Sequence, residues 1–224
     1  MKRKLGAITV GQSPRDDVIP EMLEYLGEVE IIQAGALDHL TYEEIMGFDV
    51  KDNDYLLVSR LRDGRSVKFA ERHILPRLQE CIERLEKEGA EIILFICTGV
   101  FPDIFKSRVP LLYPQKILHN LVPHLLGNNK LAVVIPNKDQ ILQCKNKWIE
   151  TGVDVDVVSG SPYSEEDEIS NAIKILKSTN AELVLLDCIG YNKVMKKRIA
   201  EGTGKKVILA RTMVARVLGE ILNN

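Results

Sequence analysis

The chain contains the stretch Ala90-Glu-Ile-Ile-Leu-Phe-Ile-Cys-Thr-Gly99, and the same pattern returns in Ala181-Glu-Leu-Val-Leu-Leu-Asp-Cys-Ile-Gly190. In both stretches an apolar run is followed by a cysteine and, two residues later, by a glycine. Short apolar runs of this kind are typical of strands that are buried on both faces of a parallel sheet. The two stretches therefore predict equivalent strands, with Cys97 and Cys188 just beyond their carboxyl ends.

The repeat extends to the neighbouring elements. The helices that precede the two stretches carry apolar residues in the same register, and Lys4–Ile8 matches Lys130–Val134 at the opening of each half. The first half is longer between these matches, so it carries an insertion, which we place at residues 52–69. Within the insertion, Asp63-Gly64 separates two strand-like runs, a pattern that predicts a β-hairpin.

The whole chain alternates strand-like and helix-like segments. We predict strands at Leu5–Val10, Glu28–Gln33, Tyr55–Ser59, Glu91–Ile96, Leu131–Ile135, Asp154–Val158, Glu182–Asp187 and Lys206–Ala210. This alternation is typical of βα units with mainly parallel sheets. We therefore predict an α/β protein of two similar lobes. The first comprises residues 1–113 with the C-terminal helix 211–224, and the second comprises residues 114–210.

Composition excludes several classes of partner. The 224 residues include 30 Lys+Arg against 32 Asp+Glu, a net charge of −2, whereas nucleic-acid and membrane-surface binders need a basic excess. No apolar run is long enough to span a bilayer, so no membrane partner is expected. The basic start Met1–Lys4 leads into a short apolar run, which predicts a first strand and no export signal. We expect a cytoplasmic protein whose oligomeric state, including a homo-oligomer, is left open.

No metal or cofactor is expected. The four cysteines include no C-x-x-C pair, and the four histidines have no mutual metal-binding spacing. In a cytoplasmic protein these cysteines are thiols rather than disulfides. Neither a dinucleotide-binding nor a P-loop glycine motif occurs, so nucleotide cofactors lack sequence support as well.

Cys97 and Cys188 are the strongest catalytic candidates. Each follows a predicted parallel strand at the sheet edge where open α/β folds bind ligands. If a helix begins there, its N-terminal N–H groups depress the thiol pKa below about 8.5. Taken singly, a cysteine usually packs as a small hydrophobe, as we predict for Cys81 and Cys144 on helix faces. Equivalent positions in a repeat favour a function for the other two.

A pair of opposed thiols suits proton transfer at the carbon next to a carboxylate. One thiolate removes the proton and one thiol returns a proton on the opposite face. The intermediate gains charge on the carboxylate oxygens, so we expect Thr98 and the backbone N–H groups after Cys97 and Cys188 to point there. Asp187 would raise the pKa of Cys188 unless strand alternation turns its carboxylate to the other face.

The sequence resembles the aspartate/glutamate racemase superfamily in Cys97-Thr-Gly99, in Asp187-Cys-Ile-Gly-Tyr191 and in the two-lobed repeat. Over nearly the whole chain it is most similar to the AroM-type branch, with the opening Thr9-Val-Gly-Gln-Ser-Pro14 and the inserted segment Asp54–Arg72. The resemblance implies two flavodoxin-like lobes, an active cleft between them and cofactor-independent chemistry. The superfamily includes racemases, cis-trans isomerases and decarboxylases, and the decarboxylases use one cysteine.

The resemblance also implies that the loops after the first strand of each lobe bind the substrate carboxylate. By position these are Gly11, Gln12 and Ser13 in the first lobe and Pro136-Asn137 in the second. Amino-acid racemases often have Asn-Thr after the first cysteine and Thr-His after the second, whereas this chain has Thr-Gly and Ile-Gly. Its first loop also has no Asp beside its Ser. A small carboxylate is therefore a better-supported substrate class than an amino acid.

Other residues have two interpretations each. Arg15 and Arg60 could clamp a carboxylate or simply be solvated, and Ser13 could cap a helix start. Tyr191 could close the cleft or cover a helix start. Our candidate substrate contacts are Gly11, Gln12, Ser13, Arg15, Arg60, Thr98, Gly99, Asn137, Ile189, Gly190 and Tyr191.

The leading functional hypothesis is a cofactor-independent racemase or isomerase of a small carboxylic acid, with Cys97 and Cys188 as the acid/base pair. One alternative is a sensor or carrier that binds a small carboxylate without turnover. The other is a decarboxylase that needs only one of the two cysteines.

Overall fold

The computed structural model describes residues 3–223, which form two compact units, Met1–Pro114 with Ala215–Asn224 and Gln115–Val214. We call these the first and the second lobe. The second boundary falls inside the last helix, whereas the sequence analysis placed it before residue 211. Within residues 3–223, no helix combines the length and the apolar character that crossing a bilayer requires.

The first lobe is built on a four-stranded parallel sheet. Its elements are β1 (Arg3–Thr9), α1 (Ile19–Leu26), β2 (Val29–Gly35), α2 (Tyr42–Met46), β3 (Leu56–Arg60), β4 (Ser66–Ala70), a 3₁₀ turn (Glu71–His73), α3 (Leu75–Lys87), β5 (Ile92–Phe95) and β6 (Leu111–Leu112). The strand order is β2-β1-β5-β6, and all three pairings are parallel. The two central strands are buried and apolar, β1 from Leu5 onward and β5 throughout, whereas the edge strand β2 is partly exposed from Val29 to Gln33.

The second lobe repeats this arrangement. Its elements are α4 (Pro114–Leu126), β7 (Leu131–Ile135), a 3₁₀ turn (Lys138–Gln140), α5 (Ile141–Ile149), β8 (Val155–Ser159), α6 (Glu168–Lys177), β9 (Leu183–Leu186), α7 (Lys193–Thr203) and β10 (Lys206–Leu209). The last helix, α8 (Ala210–Leu222), begins in the second lobe and belongs to the first lobe from Ala215 onward. The strand order is β8-β7-β9-β10, and all pairings are parallel. The predicted α/β fold with two similar, mainly parallel lobes is confirmed.

The repeat holds at the level of single residue pairs. In the first sheet Leu5 lies opposite Ile92, and in the second Leu131 lies opposite Leu183. The sequence repeat aligns Leu5 with Leu131 and Ile92 with Leu183, so the two pairs are equivalent. The residues that follow β5 and β9 therefore occupy equivalent places in their own sheets.

The insertion in the first lobe is the predicted β-hairpin. Strands β3 and β4 pair antiparallel from Leu56 opposite Ala70 to Arg60 opposite Ser66. Gly64 closes the turn with a φ of 92°, a conformation that glycine adopts without a steric penalty. Phe69 is fully buried, so the hairpin is anchored in the core of the first lobe.

The two lobes differ in the connection that follows the cysteine-bearing turn. In the second lobe, α7 connects β9 to β10, but residues 96–110 of the first lobe form a loop without a helix. The loop packs through Phe101 and Phe105, whose rings lie 5.1 and 5.6 Å from that of Phe95 on β5. The connection from β5 to β6 is therefore a loop that packs through aromatic rings, whereas the equivalent connection in the second lobe is a helix.

Cys81 and Cys144 are core residues, as predicted. Both are buried on the inner faces of their helices, α3 and α5. Burial raises the pKa of the Cys81 thiol to about 11 and that of the Cys144 thiol to about 12. Because only the thiolate is strongly nucleophilic, neither side chain is suited to reaction at neutral pH.

Candidate active site

Cys97 lies one residue beyond Ile96 at the carboxyl end of β5, and its side chain is half-buried. The backbone N–H of Gly99 donates to its sulfur over 3.3 Å. The intervening Thr98 is buried. The turn thus holds the sulfur at the sheet edge with a backbone dipole directed at it, and a hydrogen bond of this kind favours a thiolate.

Cys188 repeats this geometry in the second lobe. It follows Asp187 at the carboxyl end of β9, is half-buried, and accepts a hydrogen bond from the Gly190 N–H over 3.4 Å. Each lobe therefore builds the same Cys-X-Gly turn at the same place in its sheet. The position two residues after each cysteine supplies the N–H to the sulfur.

The structure corrects the expectation that a helix N-terminus activates the thiols. No helix follows Cys97 before residue 110, and α7 begins only at Lys193, capped by the Asn192 side chain. The glycine N–H of each turn takes the place of the expected helix.

Asp187 is turned away from its neighbour Cys188. Its carboxylate is almost fully buried and accepts hydrogen bonds from the Lys147 ammonium over 2.6 Å and from the Trp148 indole N–H over 2.9 Å. Both partners lie on α5. Adjacent residues at the end of a strand point to opposite faces, which explains how a carboxylate and a thiol can be neighbours in sequence here.

Tyr163 lies beside Cys188, a contact that the sequence analysis missed. The phenol oxygen is 3.8 Å from the Cys188 sulfur. The same hydroxyl packs directly on the backbone of Gly190, where a Cβ would collide with it. Tyr163 lies in the loop between β8 and α6, 25 residues before Cys188.

The side chains of Tyr191 and Ile189 are both buried in the second lobe. The Tyr191 side chain is fully buried in the second-lobe core, and its hydroxyl donates to the Gly160 carbonyl over 2.7 Å. Burial raises the pKa of this phenol well above its ordinary value. The Ile189 side chain is also buried, because it faces the interior rather than the sheet edge.

The buried side chain of Arg211 is hydrogen-bonded to the backbone of the Cys188 turn. Its guanidinium donates to the carbonyl of Ile189 over 2.8 Å and to that of Gly190 over 2.9 Å. Arg211 lies in the first turn of α8, so these hydrogen bonds join that turn of the helix to the Cys188 turn.

In the first lobe, the inserted hairpin supports the Cys97 turn. The Tyr55 hydroxyl, at the start of the hairpin, accepts a hydrogen bond from the Val100 N–H over 3.1 Å. Leu57 on β3 packs closely against Gly99, so a residue with a side chain at position 99 would require a local adjustment. No pattern in the sequence signals either contact.

The loop after β1 holds the predicted residues Gly11, Gln12 and Ser13. Ser13 is buried, and both its N–H and its hydroxyl donate to the carboxylate of Asp38, over 2.8 and 2.6 Å. The Gln12 amide donates to the Leu40 carbonyl over 3.2 Å. These side chains therefore shape the loop through internal hydrogen bonds.

Asp38 organises the surroundings of this loop. Besides Ser13, its carboxylate accepts hydrogen bonds from the Gly35 N–H over 2.9 Å and from the Arg62 guanidinium over 2.7 Å. Arg62 also donates to the Ser13 carbonyl and, through its backbone, to the Gln12 side chain. Asp38 thus joins Ser13, Gly35 and Arg62, although it lies 25 residues from Ser13 in the sequence.

Arg15 and Arg60 line one cavity of about 300 Å³ in the first lobe. The other residues of its lining are Gln12, Pro14, Asp16, Asp17, Leu61 and Arg62. Arg15 is buried rather than solvated, and it forms a two-pronged ion pair with Asp17 at 2.8 and 2.9 Å. The Arg60 Nε donates to the Gly64 carbonyl over 3.3 Å. This cavity lining includes neither Cys97 nor Thr98.

Asn137, predicted to bind a carboxylate, lies directly after β7. Its side-chain oxygen accepts a hydrogen bond from the Asp139 N–H over 2.9 Å and so caps the 3₁₀ turn Lys138–Gln140.

The histidines do not gather into a metal site. Within residues 3–223, no group of three His, Cys, Asp or Glu residues is arranged to hold a metal ion.

We expect replacement of Asp38 by alanine to destabilise the first lobe by about 2–4 kcal/mol, because Ser13, Gly35 and Arg62 lose a shared buried acceptor. Chemical unfolding followed by circular dichroism measures the loss. Replacement of the exposed Asp63, which pairs with Arg65 on the hairpin turn, is the matched control and should cost much less stability. Equal losses for the two variants would contradict this role of Asp38.

The His119 side chain predicts a loss of stability in mild acid. Burial, aided by the nearby Lys147 ammonium, lowers its pKa from 6.5 to about 4. Its folded-state pKa lies below the unfolded value, so the unfolded chain binds the proton first. Stability is then complete above about pH 6.5 and falls as the pH drops toward 4, by an amount on the order of 2 kcal/mol.

The measurement is the difference in unfolding free energy between the natural chain and a His119→Gln variant, taken at several pH values. Glu71, whose pKa burial raises to about 7, titrates in both proteins and cancels in that difference. We expect the unfolding free energy of the natural chain, measured relative to that of His119→Gln, to fall as the pH drops from about 6.5 toward 4. A pH-independent gap would show that His119 does not carry the effect.

A family model described as AroM protein matches residues 5–222 of this chain. A search of curated proteins by sequence finds no match. The likeness to a known family therefore comes from the family model, and it covers nearly the whole chain.

Solved structures are similar over almost the full length. A glutamate racemase of Bacillus anthracis has a TM-score of 0.66 at 14% identity, covering 99% of this chain and 82% of the racemase. The maleate isomerase of Pseudomonas putida has a TM-score of 0.62 at 12% identity, covering 100% and 94%. An arylmalonate decarboxylase has a TM-score of 0.58 at 13% identity, covering 99% and 92%. At these identities the likeness shows the fold alone.

Proposed function

This chain belongs to the AroM protein family and has the fold of the Asp/Glu racemase superfamily, and on that basis we propose that it is a cofactor-independent, racemase- or isomerase-like enzyme acting on a small carboxylic acid. Cys97 and Cys188 are the proposed acid/base pair. Similar structures include a racemase, an isomerase and a decarboxylase, all of which are named for reactions of carboxylic acids.

One observation carries the proposal. Both lobes form the same Cys-X-Gly turn at the same register, with the glycine N–H directed at the sulfur. Among the four thiols these two are half-buried, whereas Cys81 and Cys144 are buried in the core. A merely structural cysteine has no need of a repeated, partly accessible turn at the edge where α/β proteins bind ligands.

The proposed reaction is a proton transfer in two steps. A thiolate takes the proton from the carbon next to the carboxylate, and the electron pair of that C–H bond moves onto the carboxylate oxygens. The second thiol then gives its proton to the opposite face of the same carbon. The two cysteines end with exchanged protonation states, so the reaction runs in either direction.

Backbone N–H groups are proposed to stabilise the intermediate. Negative charge grows on the carboxylate oxygens in the transition state, and fixed dipoles aimed at these oxygens lower its energy. The candidates are the N–H groups of Thr98, Ile189, Gln12 and Asn137. Those of Gly99 and Gly190 donate to the cysteine sulfurs, and those of Gly11 and Ser13 donate to Thr9 and Asp38. Internal hydrogen bonds hold the side chains of Gln12, Ser13 and Asn137, so we expect their contribution to come from rigid loop geometry.

The direct test is exchange of a substrate proton in deuterated solvent. The purified chain is incubated with separate enantiomers of 2-amino acids and 2-hydroxy acids, with arylmalonates, and with maleate, and products are read by NMR and chiral chromatography. Deuterium at the carbon next to the carboxylate, with inversion, supports the proposal. If none of these acids exchanges, inverts, isomerises or loses carbon dioxide, the proposal of an enzyme fails and the binding-only alternative stands.

A single-cysteine decarboxylase is the second candidate. It is favoured by one asymmetry: Cys188 has the Tyr163 phenol beside it, whereas the Tyr55 phenol is bonded to the backbone of Val100. A decarboxylase needs one proton donor for the carbanion that loss of carbon dioxide leaves behind. Release of carbon dioxide from an arylmalonate, with one deuterium in the product, would favour this candidate.

A further inference from the structure

Tyr163 contacts the Cys188 sulfur directly. Its oxygen lies 3.8 Å from Sγ, within hydrogen-bonding range for sulfur, and both side chains are half-buried. A phenol has an ordinary pKa of about 10 and a thiol one of about 8.5, so the thiol ionises first. The phenol then keeps its proton and can donate it in a hydrogen bond to the thiolate.

The surrounding structure holds the Tyr163 loop in place. The Gly160 N–H donates to the Ile135 carbonyl over 2.9 Å, and the Gly160 carbonyl accepts from the buried Tyr191 hydroxyl over 2.7 Å. The Ser161 N–H donates to Glu168, and the Tyr163 N–H donates to the Ser161 hydroxyl. Because Tyr191 belongs to the Cys188 turn, the turn and the loop are joined at two places.

The same hydroxyl fills the space that a side chain at position 190 would need. A Cβ at Gly190 would collide with the Tyr163 oxygen. Gly190 also donates its N–H to the Cys188 sulfur. The glycine therefore allows both the backbone N–H and the phenol to approach one sulfur.

Other charged groups near the turn are already engaged. From α5, Lys147 is paired with Asp187 on the far side of the strand end. From α8, Arg211 donates to the Ile189 and Gly190 carbonyls. From α6, Glu168 accepts from the Ser161 N–H. Tyr191 is buried and hydrogen-bonded as a neutral phenol.

We propose that Tyr163 is a positioning residue that stabilises the Cys188 thiolate by hydrogen bonding, so that Cys188 is the resting base of the pair. When Cys188 ionises, its proton leaves to solvent and the Tyr163 O–H stays intact. The first lobe uses its tyrosine differently, since the Tyr55 hydroxyl accepts from the Val100 N–H. This inference rests on the proposed function only for the role of Cys188 in turnover.

The test is the titration of Cys188 without substrate. Protein labelled with ¹³C at the cysteine β-carbons is titrated from about pH 6 to about pH 11, and the NMR shift of each thiol is followed. Cys97→Ser and Cys188→Ser variants assign the two resonances. We expect Tyr163→Phe to raise the pKa of Cys188 by on the order of one unit, while Cys97 stays unchanged.

Matched variants separate a local effect from a general one. Tyr55→Phe should leave the titration of Cys188 unaltered. Gly190→Ala keeps the phenol but displaces it, so it should raise the pKa of Cys188 as Tyr163→Phe does. Gly99→Ala makes the equivalent change in the first lobe and should leave Cys188 unaltered.

An unchanged or lowered pKa of Cys188 in Tyr163→Phe overturns the inference, as does an equal shift at Cys97. Because the measurement uses no substrate, this result is independent of the exchange assay. A shifted pKa of Cys188 in a protein without turnover would uphold the hydrogen bond from Tyr163 to the thiolate and refute the proposed enzyme activity.

Discussion

Replacing either Cys97 or Cys188 by alanine should slow inversion of the substrate by about 10²–10⁴-fold, because a general acid/base group contributes about that factor. Cys81→Ala and Cys144→Ala change cysteines that lie in the two cores. Once the variants are shown to be folded, these two should retain inversion. The assay is optical inversion of the acid that exchanges fastest in the panel.

The two single variants differ in which enantiomer they still act on. Each thiol is proposed to face one side of the carbon, so each enantiomer presents its proton to one thiol only. With one thiol removed, the remaining thiol should still exchange deuterium into one enantiomer without inverting it. Cys97→Ala and Cys188→Ala should therefore retain exchange with opposite enantiomers.

This pattern separates the alternatives. If one cysteine can be replaced freely and the other cannot, a single-cysteine mechanism is supported and the pair is refuted. If both replacements leave inversion intact, neither thiol is the acid/base group. Loss of all exchange in both variants, in folded protein, would show that the thiols do not act on separate faces.

The second large effect is on stability. Asp187→Ala should lower the unfolding free energy of the second lobe by about 3–5 kcal/mol, because it leaves the Lys147 ammonium buried without its carboxylate. The Lys147 and Asp187 side chains are only 8% and 1% exposed, and the pair is 2.6 Å apart. Removing both charges in Lys147→Met/Asp187→Leu should recover part of that loss, since no charge is left buried without its partner. The remaining loss comes from the buried Trp148 N–H, which has no Asp187 acceptor in either variant.

Trp148 reports on this change directly. It is the one tryptophan of the chain, and its indole N–H donates to Asp187. Denaturant unfolding followed by its fluorescence therefore reads the second lobe. Glu201→Ala breaks an exposed pair with Lys197 and is the control, with an expected loss below about 0.5 kcal/mol. A loss below about 1 kcal/mol in Asp187→Ala would contradict a buried, mutually dependent pair.

Several features of the fold could be predicted because they depend on local patterns. Buried parallel strands need continuous apolar residues, so β5 and β9 are visible in sequence. The turn of the inserted hairpin needs a glycine with positive φ, and Gly64 supplies it. The match of Leu5 with Leu131 and of Ile92 with Leu183 predicts equivalent pairing, since a shift of one residue would turn every side chain to the other face.

The contacts around the thiols could not be predicted. Tyr163 reaches Cys188, and Asp38 reaches Ser13, each across 25 residues of sequence. Arg211 reaches the Cys188 turn across 21–22 residues. None of these spacings is a helical or strand period, so no local pattern marks them. The hydrogen bond from the Tyr191 hydroxyl to the Gly160 carbonyl spans 31 residues and is equally unmarked in the sequence.

By itself, the sequence determined the alternation of strands and helices, the doubling of the lobe and the place of a cysteine at the end of one strand in each half. These follow from which residues are apolar and at what period, a property of neighbours along the chain. Only the tertiary structure decided which way Asp187 turns, which phenol reaches Cys188 and which arginines are buried. Hydrogen bonds and desolvation depend on contacts between residues that are distant in sequence, and local sequence patterns do not specify those contacts.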